Sequence, residues 1–425
     1  MPMPFWLTKK KKCHNHKAMK YTLLNLAFLM YCTLAFSQEN VLQQLLERSG
    51  DSLLREVLRR PEQFQLQLIY TRIDRNARNQ PSFTSYRYNV DSNLYFYPAS
   101  TVKMPAAFMA LEKLNELNIL GLDKHANMQT EAARPPQTAV SRDSTSENGL
   151  PSIAHYIKKI FLVSDNDAFN RLYEFLGQEY LNRKLQEKGY ANLRILHRLS
   201  VSGFDVPGNR FTNPVSFYDG DTLLYHQGEV YSAFYPDLQL KEQVRGVAYM
   251  DGDGAIIPEP FDFRYKNYVS LQNLHDILKA VMFPDATPPE RRFNLTAKDY
   301  RFLWKYMSML PRESDSPRYQ EWDSYVKFFL FGDSKDTIPD HIRIFNKVGD
   351  AYGFLTDVAY VVDFKNKVEF LLAANIHVNK NQTYNDGEYE YDEIGFPVLA
   401  RLGRMVYEYE LEREREYTPH LYYLK

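Results

Sequence analysis

Apolar side chains recur at three- and four-residue spacing along much of the chain, and this period predicts amphipathic helices. The clearest stretches lie at 41–59, 100–121, 153–163, 166–177, 271–282 and 296–309, followed by a charged, tyrosine-rich stretch at 394–413. We expect the helix near residue 100 to end at Gly121, because glycine commonly follows the last helical turn.

Shorter runs with alternating or continuous apolar residues predict β-strands. Two of these runs lie before residue 100, at 64–68 and 83–90, and three follow at 342–349, 356–363 and 368–377. A tight turn at 363–367 joins the last two, so the final three strands are expected to form an antiparallel meander. The pattern therefore predicts a mixed α/β protein in which helices separate two groups of strands.

The segment 200–263 interrupts this pattern. It has little regular periodicity and is rich in glycine, proline and aromatic residues, as in Asp251-Gly252-Asp253-Gly254. A long stretch of this kind inside a domain indicates short strands or a functional cover, and we interpret it as an insertion or a replaced loop. The Asp-Gly repeat lacks the later ligands of a calcium loop, so a turn is expected there.

Residues 1–37 have the composition of a secretory signal peptide. They contain six lysines, no acidic residue and an apolar run at 21–36, which is short for a membrane span and is followed by a site with small residues. We therefore expect a mature chain that begins near Gln38 and is exported, either to the periplasm or beyond it. Lipid attachment at Cys32 is an alternative, although the bulky Tyr31 precedes that cysteine.

Cysteine and charge counts exclude several classes of function. Cys13 and Cys32 are the only cysteines and both precede the expected cleavage, so the mature chain has no disulfide and no cysteine chemistry. Loss of the six leader lysines changes the net charge from −1 to −7, which makes a nucleic-acid or anionic-membrane partner unexpected. No metal-binding pattern is present, and we expect no cofactor and a monomer.

The stretch Tyr97-Pro98-Ala99-Ser100-Thr101-Val102-Lys103 holds the strongest candidate for catalysis. Ser100 can cap the following helix, and Lys103 lies one turn later on the same face, within reach of the Ser100 hydroxyl. A lysine can take the serine proton only if its pKa is lowered, so the pair requires a closed cleft. About one or two matches to Ser-x-x-Lys are expected by chance, and Ser324 to Lys327 is a second match in this chain.

Two further short motifs follow along the chain. Ser164-Asp165-Asn166 lies between two predicted helices, where such residues are also favoured as helix caps. Lys347-Val348-Gly349 lies on a predicted strand that enters a hairpin. Each motif is weak by itself, but their order and structural contexts are much less expected by chance.

This set resembles the three motifs of class A β-lactamases and penicillin-binding proteins, in which the third is usually Lys-Thr-Gly. The resemblance extends from about residue 41 to the C-terminus. It implies an α+β fold in which an antiparallel sheet is flanked by helices, with a helical subdomain, over residues 38–425.

The resemblance also implies roles for individual residues. Ser100 would be the acylated nucleophile and Lys103 its base or the partner of that base. Ser164 would relay a proton to the leaving nitrogen, and Lys347 would supply positive potential.

The remaining motif residues would bind the substrate. Asn166 would hold the substrate amide and Lys103, Gly349 would let the substrate lie against the strand, and Asp165 would be structural. The backbone N–H groups of Ser100 and Asp350 would hold the oxyanion.

Two departures from the family pattern bear on substrate and turnover. Val348 replaces the usual threonine, so a hydroxyl that would bind a substrate carboxylate is missing. Class A enzymes also carry a glutamate in a loop after the second motif, whereas residues 199–214 contain Asp205, Asn209 and Asn213 but no glutamate. Asp205, or another residue of the 200–263 segment, is a possible substitute base for water.

The sequence thus predicts an exported serine hydrolase that forms an acyl-enzyme on Ser100 and acts on a β-lactam or a related amide or ester. A D-alanyl-D-alanine peptidase and a non-catalytic protein that binds peptidoglycan or β-lactams remain alternatives. In each case the expected partner is a small-molecule or peptidoglycan-derived substrate.

Overall fold

The computed structural model describes residues 1–4 and 40–424. The predicted signal sequence beyond residue 4, both cysteines and the expected mature terminus at Gln38 lie outside the described residues. The corresponding predictions of export and of lipid attachment at Cys32 therefore remain predictions.

A five-stranded antiparallel sheet forms the centre of the fold. Its strands are ordered β14-β15-β16-β1-β2, so the C-terminal meander pairs with the N-terminal hairpin through β16 and β1. The bounds of these strands are β1 Gln67–Arg75, β2 Pro81–Tyr88, β14 Ile342–Ala351, β15 Phe354–Asp363 and β16 Val368–His377. The predicted meander is confirmed.

The helices match the predicted stretches closely. They are α1 Val41–Arg48, α2 Ser52–Arg59, α3 Pro61–Phe64, α4 Lys103–Leu117, α5 Ile153–Val163, α6 Asn166–Leu176, α7 Gln178–Glu187, α8 Leu271–Met282, α9 Ala297–Ser308 and α10 Phe396–Glu412. Helix α7 was not predicted, since its sequence is mostly polar and charged.

The sheet separates two apolar cores because successive side chains of a strand point to opposite faces. On β16, Leu371 and Ala373 join the core that contains α4 to α9, whereas Leu372 and Ala374 join the core that contains α1, α2 and α10. The fold is therefore an antiparallel sheet flanked by helices on both faces, with the larger helical group on one side, as expected.

The segment 200–263 forms short strands that pair in small sheets, which is one of the two structures expected for it. The short strands among the described residues are β3 Asn127–Thr130, β4 Leu193–Arg194, β5 Phe211–Thr212, β6 Val215–Asp219, β7 Thr222–Gln227, β8 Val230–Tyr231, β9 Val244–Arg245, β10 Ala248–Met250, β11 Ile256–Ile257, β12 Phe261–Asp262, β13 Tyr268–Val269 and β17 Thr383–Tyr384.

Two details of the nucleophile helix differ from the sequence expectation. Ser100 does not cap α4: it lies in a 3₁₀ turn, Ala99–Val102, and makes its side-chain contact with Lys103 instead. The helix ends at Leu117 rather than near Gly121, because Asn118 adopts the left-handed conformation (φ 47°) that terminates it. Among the described residues, no helix is both long and apolar enough to cross a membrane.

Candidate active site

The turn that carries Ser100 is held in an uncommon backbone conformation. Ala99 has a φ of 45°, which is rare for a residue with a side chain, and Thr101 closes the turn by donating through its backbone N–H and its hydroxyl to the carbonyl of Pro98. Ser100 is half-buried, so its hydroxyl opens on a cleft while its backbone is fixed. Strain of this kind is common where a reactive side chain must be presented.

Lys103 is the immediate partner of Ser100. Its Nζ lies 2.8 Å from Ser100 Oγ and 2.7 Å from Asn166 Oδ1, and it also contacts the carbonyl and the hydroxyl of Ser164. The side chain is fully buried, and this burial lowers the pKa of Lys103 to about 7, against the opposing effects of Asp165 and Asp350.

A lysine with this pKa is substantially neutral at physiological pH. A neutral amine has two N–H donors and one lone pair. If the donors go to the Ser164 carbonyl and to Asn166 Oδ1, the lone pair faces the Ser100 hydroxyl. The geometry thus allows Lys103 to accept the Ser100 proton, which is the chemistry that activates a serine.

The Ser164-Asp165-Asn166 motif forms the junction of α5 and α6. Ser164 ends α5 in the left-handed conformation (φ 59°), and Asp165 caps α6 by accepting from the Ala168 N–H at 2.7 Å. Asp165 therefore has the structural function that was expected, while its two neighbours face Lys103. The capping interpretation and the functional one apply to different residues of the same motif.

Lys347 approaches the same centre from β14. Its Nζ lies 2.8 Å from Ser164 Oγ, so that hydroxyl is placed between the two lysines, and it donates to the Val348 carbonyl at 2.9 Å. Burial and the proximity of Lys103 hold the pKa of Lys347 well below its usual range. The Lys103–Ser164–Lys347 chain of contacts is suited to passing a proton, and the positive potential expected of Lys347 remains a prediction.

Gly349 allows β14 to approach the turn that carries Ser100. A Cβ atom at this position would lie 2.7 Å from the Pro98 carbonyl oxygen, 2.7 Å from the Ser100 nitrogen and 2.9 Å from the Thr101 nitrogen. Glycine is therefore required by close packing against the turn. This reason differs from the expected contact with substrate, and it also brings the backbones of Ser100 and residue 350 close together.

Asp350 follows Gly349 at the mouth of the site. Its side chain is exposed to the cleft, and the described residues offer its carboxylate no hydrogen bond and no ion pair. Desolvation by the surrounding walls raises its pKa, against the opposing effects of Lys347 and Lys103. Sequence reasoning considered only the backbone N–H of this residue and missed the side chain.

The cleft has two lobes that meet at Ser100, Asn166 and Asp350. The larger one, here called the loop lobe, has a volume of about 980 Å³ and lies under residues 196–210. The other, here called the aromatic lobe, has a volume of about 740 Å³. Ser164 and Val348 belong to the aromatic lobe, whose other walls include Trp322, Tyr325, Phe328 and Phe396.

A buried ion pair fixes the wall of the loop lobe. Arg198 donates to both carboxylate oxygens of Glu174 on α6, at 2.6 and 2.8 Å, and both side chains are almost fully buried. Asn209 and Asn213 add further hydrogen bonds to this network. Asn209 and Asn213 therefore anchor the loop.

The loop lobe does not present a catalytic base of the class A kind. Asp205 lines it, but the carboxylate is exposed and accepts from the Gly208 N–H at 2.6 Å. His197 is half-buried and accepts from the Asn267 N–H at 3.2 Å, and desolvation is the main cause that lowers its pKa to about 3. A base for water thus remains without an assigned residue.

No group of three or more histidine, cysteine, aspartate or glutamate side chains within residues 1–4 and 40–424 is arranged to hold a metal ion. The prediction that the reaction uses no metal remains a prediction.

Fold and site together define an α+β protein in which a buried lysine contacts a serine hydroxyl between a helix and the edge strand β14. Residues 70–233 match the model of the β-lactamase enzyme family, a stretch that contains Ser100, Lys103, Ser164 and Asn166. This part of the chain is therefore similar to the β-lactamase enzyme family. Lys347 and Gly349 lie beyond the matched residues.

Solved structures give weaker likenesses. PBP-A is 17% identical with a TM-score of 0.48, covering 88% of this chain and 96% of that chain. The β-lactamase from Desulfarculus baarsii DSM 2075 is 14% identical with a TM-score of 0.45, covering 88% and 98%. At these values the likenesses indicate nothing about activity. A search of curated protein sequences finds no match.

Proposed function

We propose that this chain is an exported serine hydrolase that forms an acyl-enzyme on Ser100 and acts on a β-lactam or a related amide or ester. The observation that carries the proposal is the contact of the buried Lys103 Nζ with Ser100 Oγ at 2.8 Å, with Ser164 bridging to Lys347. The family match over residues 70–233 supports the same class.

In the proposed reaction, Lys103 accepts the Ser100 proton as Ser100 Oγ attacks the substrate carbonyl carbon. The oxyanion that forms would be held by the backbone N–H groups of Ser100 and Asp350. Ser164 then passes the proton to the leaving group, the bond to that group breaks, and water later releases the acyl group as an acid. The two halves of the reaction make different demands on the site.

The second half of the reaction, in which water hydrolyses the acyl-enzyme, lacks an identified base, so slow turnover is expected. We therefore expect a penicillin-derived acyl-enzyme to form in a burst of one equivalent and to decay slowly. A protein that binds β-lactams or peptidoglycan and turns over poorly is thus the second candidate.

Fluorescent penicillin labelling of the purified protein followed by a chase, together with stopped-flow hydrolysis of a chromogenic cephalosporin, tests this proposal. We expect one label per chain, located on Ser100, and a burst followed by slow hydrolysis. Fast steady turnover without a burst would show that another residue replaces the missing glutamate. No labelling of Ser100 by any acylating substrate would contradict the proposed function.

A further inference from the structure

Asp350 places a negative charge beside the candidate nucleophile. It follows Gly349, which packs against the Ser100 backbone, and it lines both lobes of the cleft. No described side chain neutralises its carboxylate through a hydrogen bond or an ion pair. A substrate atom near the Ser100 hydroxyl on this side must therefore lie in the field of that carboxylate.

Beside Asp350, the side chains that could bind a substrate carboxylate are poorly suited to do so. Val348 has no hydroxyl and packs its side chain into the core. Lys347 is buried, and its Nζ is already engaged by Ser164 Oγ and the Val348 carbonyl. An anionic group would therefore meet the Asp350 carboxylate, and Lys335 is the cation that lines the same lobe.

The walls of the aromatic lobe favour a cationic group over an anionic one. Trp322 and Tyr325 are 40% and 39% exposed and stand edge to face at 5.3 Å. Lys335 already lies 4.4 Å from the centre of the Trp322 ring, which shows that this wall can hold a cation. Glu321, also on this wall, has a buried carboxylate oxygen without a hydrogen-bond partner among the described residues. Aromatic faces and carboxylates together favour cations.

We infer that Asp350 determines the charge of the preferred leaving group, so that the hydrolase acts on substrates whose leaving group carries a cationic nitrogen rather than a carboxylate. This inference rests on the proposed function, in which Ser164 hands the proton to the leaving group. Ser164 lines only the aromatic lobe, so the leaving group departs into the lobe that Asp350 borders.

Three thioesters of one acyl group test the inference. Their leaving thiols are thiocholine, which is cationic, 3,3-dimethylbutanethiol, which is its neutral isostere, and 3-mercaptopropionate, which is anionic. Ser100 Oγ attacks the thioester carbonyl, the C–S bond breaks, and the thiol leaves with the proton that Ser100 gave up. Released thiol is measured with a disulfide reagent against an enzyme blank.

We expect kcat/KM to fall from the cationic to the neutral to the anionic thioester, with a ratio of about tenfold or more between the extremes. Asp350→Asn and Asp350→Ser should bring the three values within about threefold of one another. Asp205→Asn is the matched control, since it removes a carboxylate from the loop lobe. Asp205→Asn should leave the ratio unchanged. Any effect of Asp205 on water would come after thiol release, and kcat/KM reports only the steps up to thiol release.

The outcomes separate the inference from the proposed function. Ser100-dependent hydrolysis with a preference for the anionic thioester, or with a ratio that Asp350→Asn does not alter, would overturn the inference and leave the proposed function intact. An unaltered ratio with slower decay of the acyl-enzyme would instead make Asp350 the base for water. If none of the three thioesters acylates Ser100 but a fluorescent penicillin does, the inference is wrong and the proposed function stands; if neither kind of reagent acylates Ser100, both are wrong.

Discussion

The chain contains two Ser-x-x-Lys sequences, and both lysines are fully buried with a pKa lowered to about 7, mainly by desolvation. At Ser100 the lysine nitrogen lies 2.8 Å from the serine oxygen. At Ser324 the two side chains turn apart: the serine donates to the Ser334 carbonyl, and Lys327 donates to the Met307 carbonyl and to Asn346 Oδ1.

The difference shows that spacing and a lowered lysine pKa do not by themselves make a nucleophile. Ser100 and Lys103 continue from a 3₁₀ turn into one helix, so their side chains share a face. Ser324 lies in a short 3₁₀ turn, Asp323–Val326, and Lys327 follows it in a non-helical conformation (φ −135°, ψ 82°). Ser324 lines the aromatic lobe, but its hydroxyl donates to the Ser334 carbonyl, and within residues 40–424 no basic side chain is hydrogen-bonded to it.

Removal of each serine in turn should give the largest difference between the two Ser-x-x-Lys sites. Ser100→Ala should abolish covalent labelling by a fluorescent penicillin, because the nucleophile is gone, while the half-exposed position keeps the fold intact. Ser324→Ala should keep full labelling and lose about 1 kcal/mol of unfolding free energy with its hydrogen bond. Gel fluorescence and peptide mapping measure the label; a label on Ser324 would reverse the assignment.

Replacement of each lysine by methionine distinguishes a lysine that acts as a base from a buried lysine that only stabilises the fold. Lys103→Met should slow acylation by about 10²–10⁴-fold, since an unassisted hydroxyl is a weak nucleophile at neutral pH. Lys327→Met should leave the rate near normal but cost about 2 kcal/mol of stability, because Asn346 Oδ1 and the Met307 carbonyl lose their donor. Stopped-flow acylation and urea unfolding provide the two measurements. Equal acylation rates in both variants would remove Lys103 from the mechanism.

The pH dependence of acylation should follow Lys103 and not Lys327. The neutral amine is the active form, so the rate should rise about tenfold per pH unit below pH 7 and level off above about pH 7. Asp350 raises the pKa of Lys103, so Asp350→Asn should move the midpoint to lower pH. A midpoint that moves in Lys327→Met, or that stays fixed in Asp350→Asn, would contradict this assignment.

Val348→Thr is expected to have the smallest effect. A hydroxyl beside Lys347 could bind the carboxylate of a penicillin and improve acylation by about 1 kcal/mol, or roughly fivefold. The gain should be greater in an Asp350→Asn background, where the repelling carboxylate is absent. Acylation rates of the single and double variants form the test, and no gain in either would show that the substrate carboxylate is not held there.

Much of the fold could be predicted because its elements are locally encoded. Strand β16 was predicted with its observed bounds, and the helices at 153–163 and 271–282 follow the apolar period of their sequences. Helix α7 was missed because its polar sequence carries only a weak apolar stripe. The end of α4 was misplaced because Asn118, rather than Gly121, adopts the left-handed conformation.

The candidate site was predicted as a set of residues, but not as an arrangement. Ser100, Lys103, Ser164, Asn166 and Lys347 meet within hydrogen-bond distance, although their catalytic roles remain predictions. The side chain of Asp350 was missed because it belongs to no motif. Its adjacency to Gly349 was the signal in the sequence that could have pointed to it.

The sequence by itself determined the order of the three motifs, the helical and strand contexts that hold them, and the absence of a threonine at 348 and of a glutamate at 199–214. Only the tertiary structure decided in which of the two Ser-x-x-Lys pairs the lysine nitrogen meets the serine hydroxyl. It also decided that Gly349 packs against Ser100 and that Asp350 stays unpaired. The physical reason is distance along the chain: Lys103 meets Ser164 across 61 positions and Ser164 meets Lys347 across 183. Contacts of that span depend on the packing of the helices against the sheet, which no local pattern specifies.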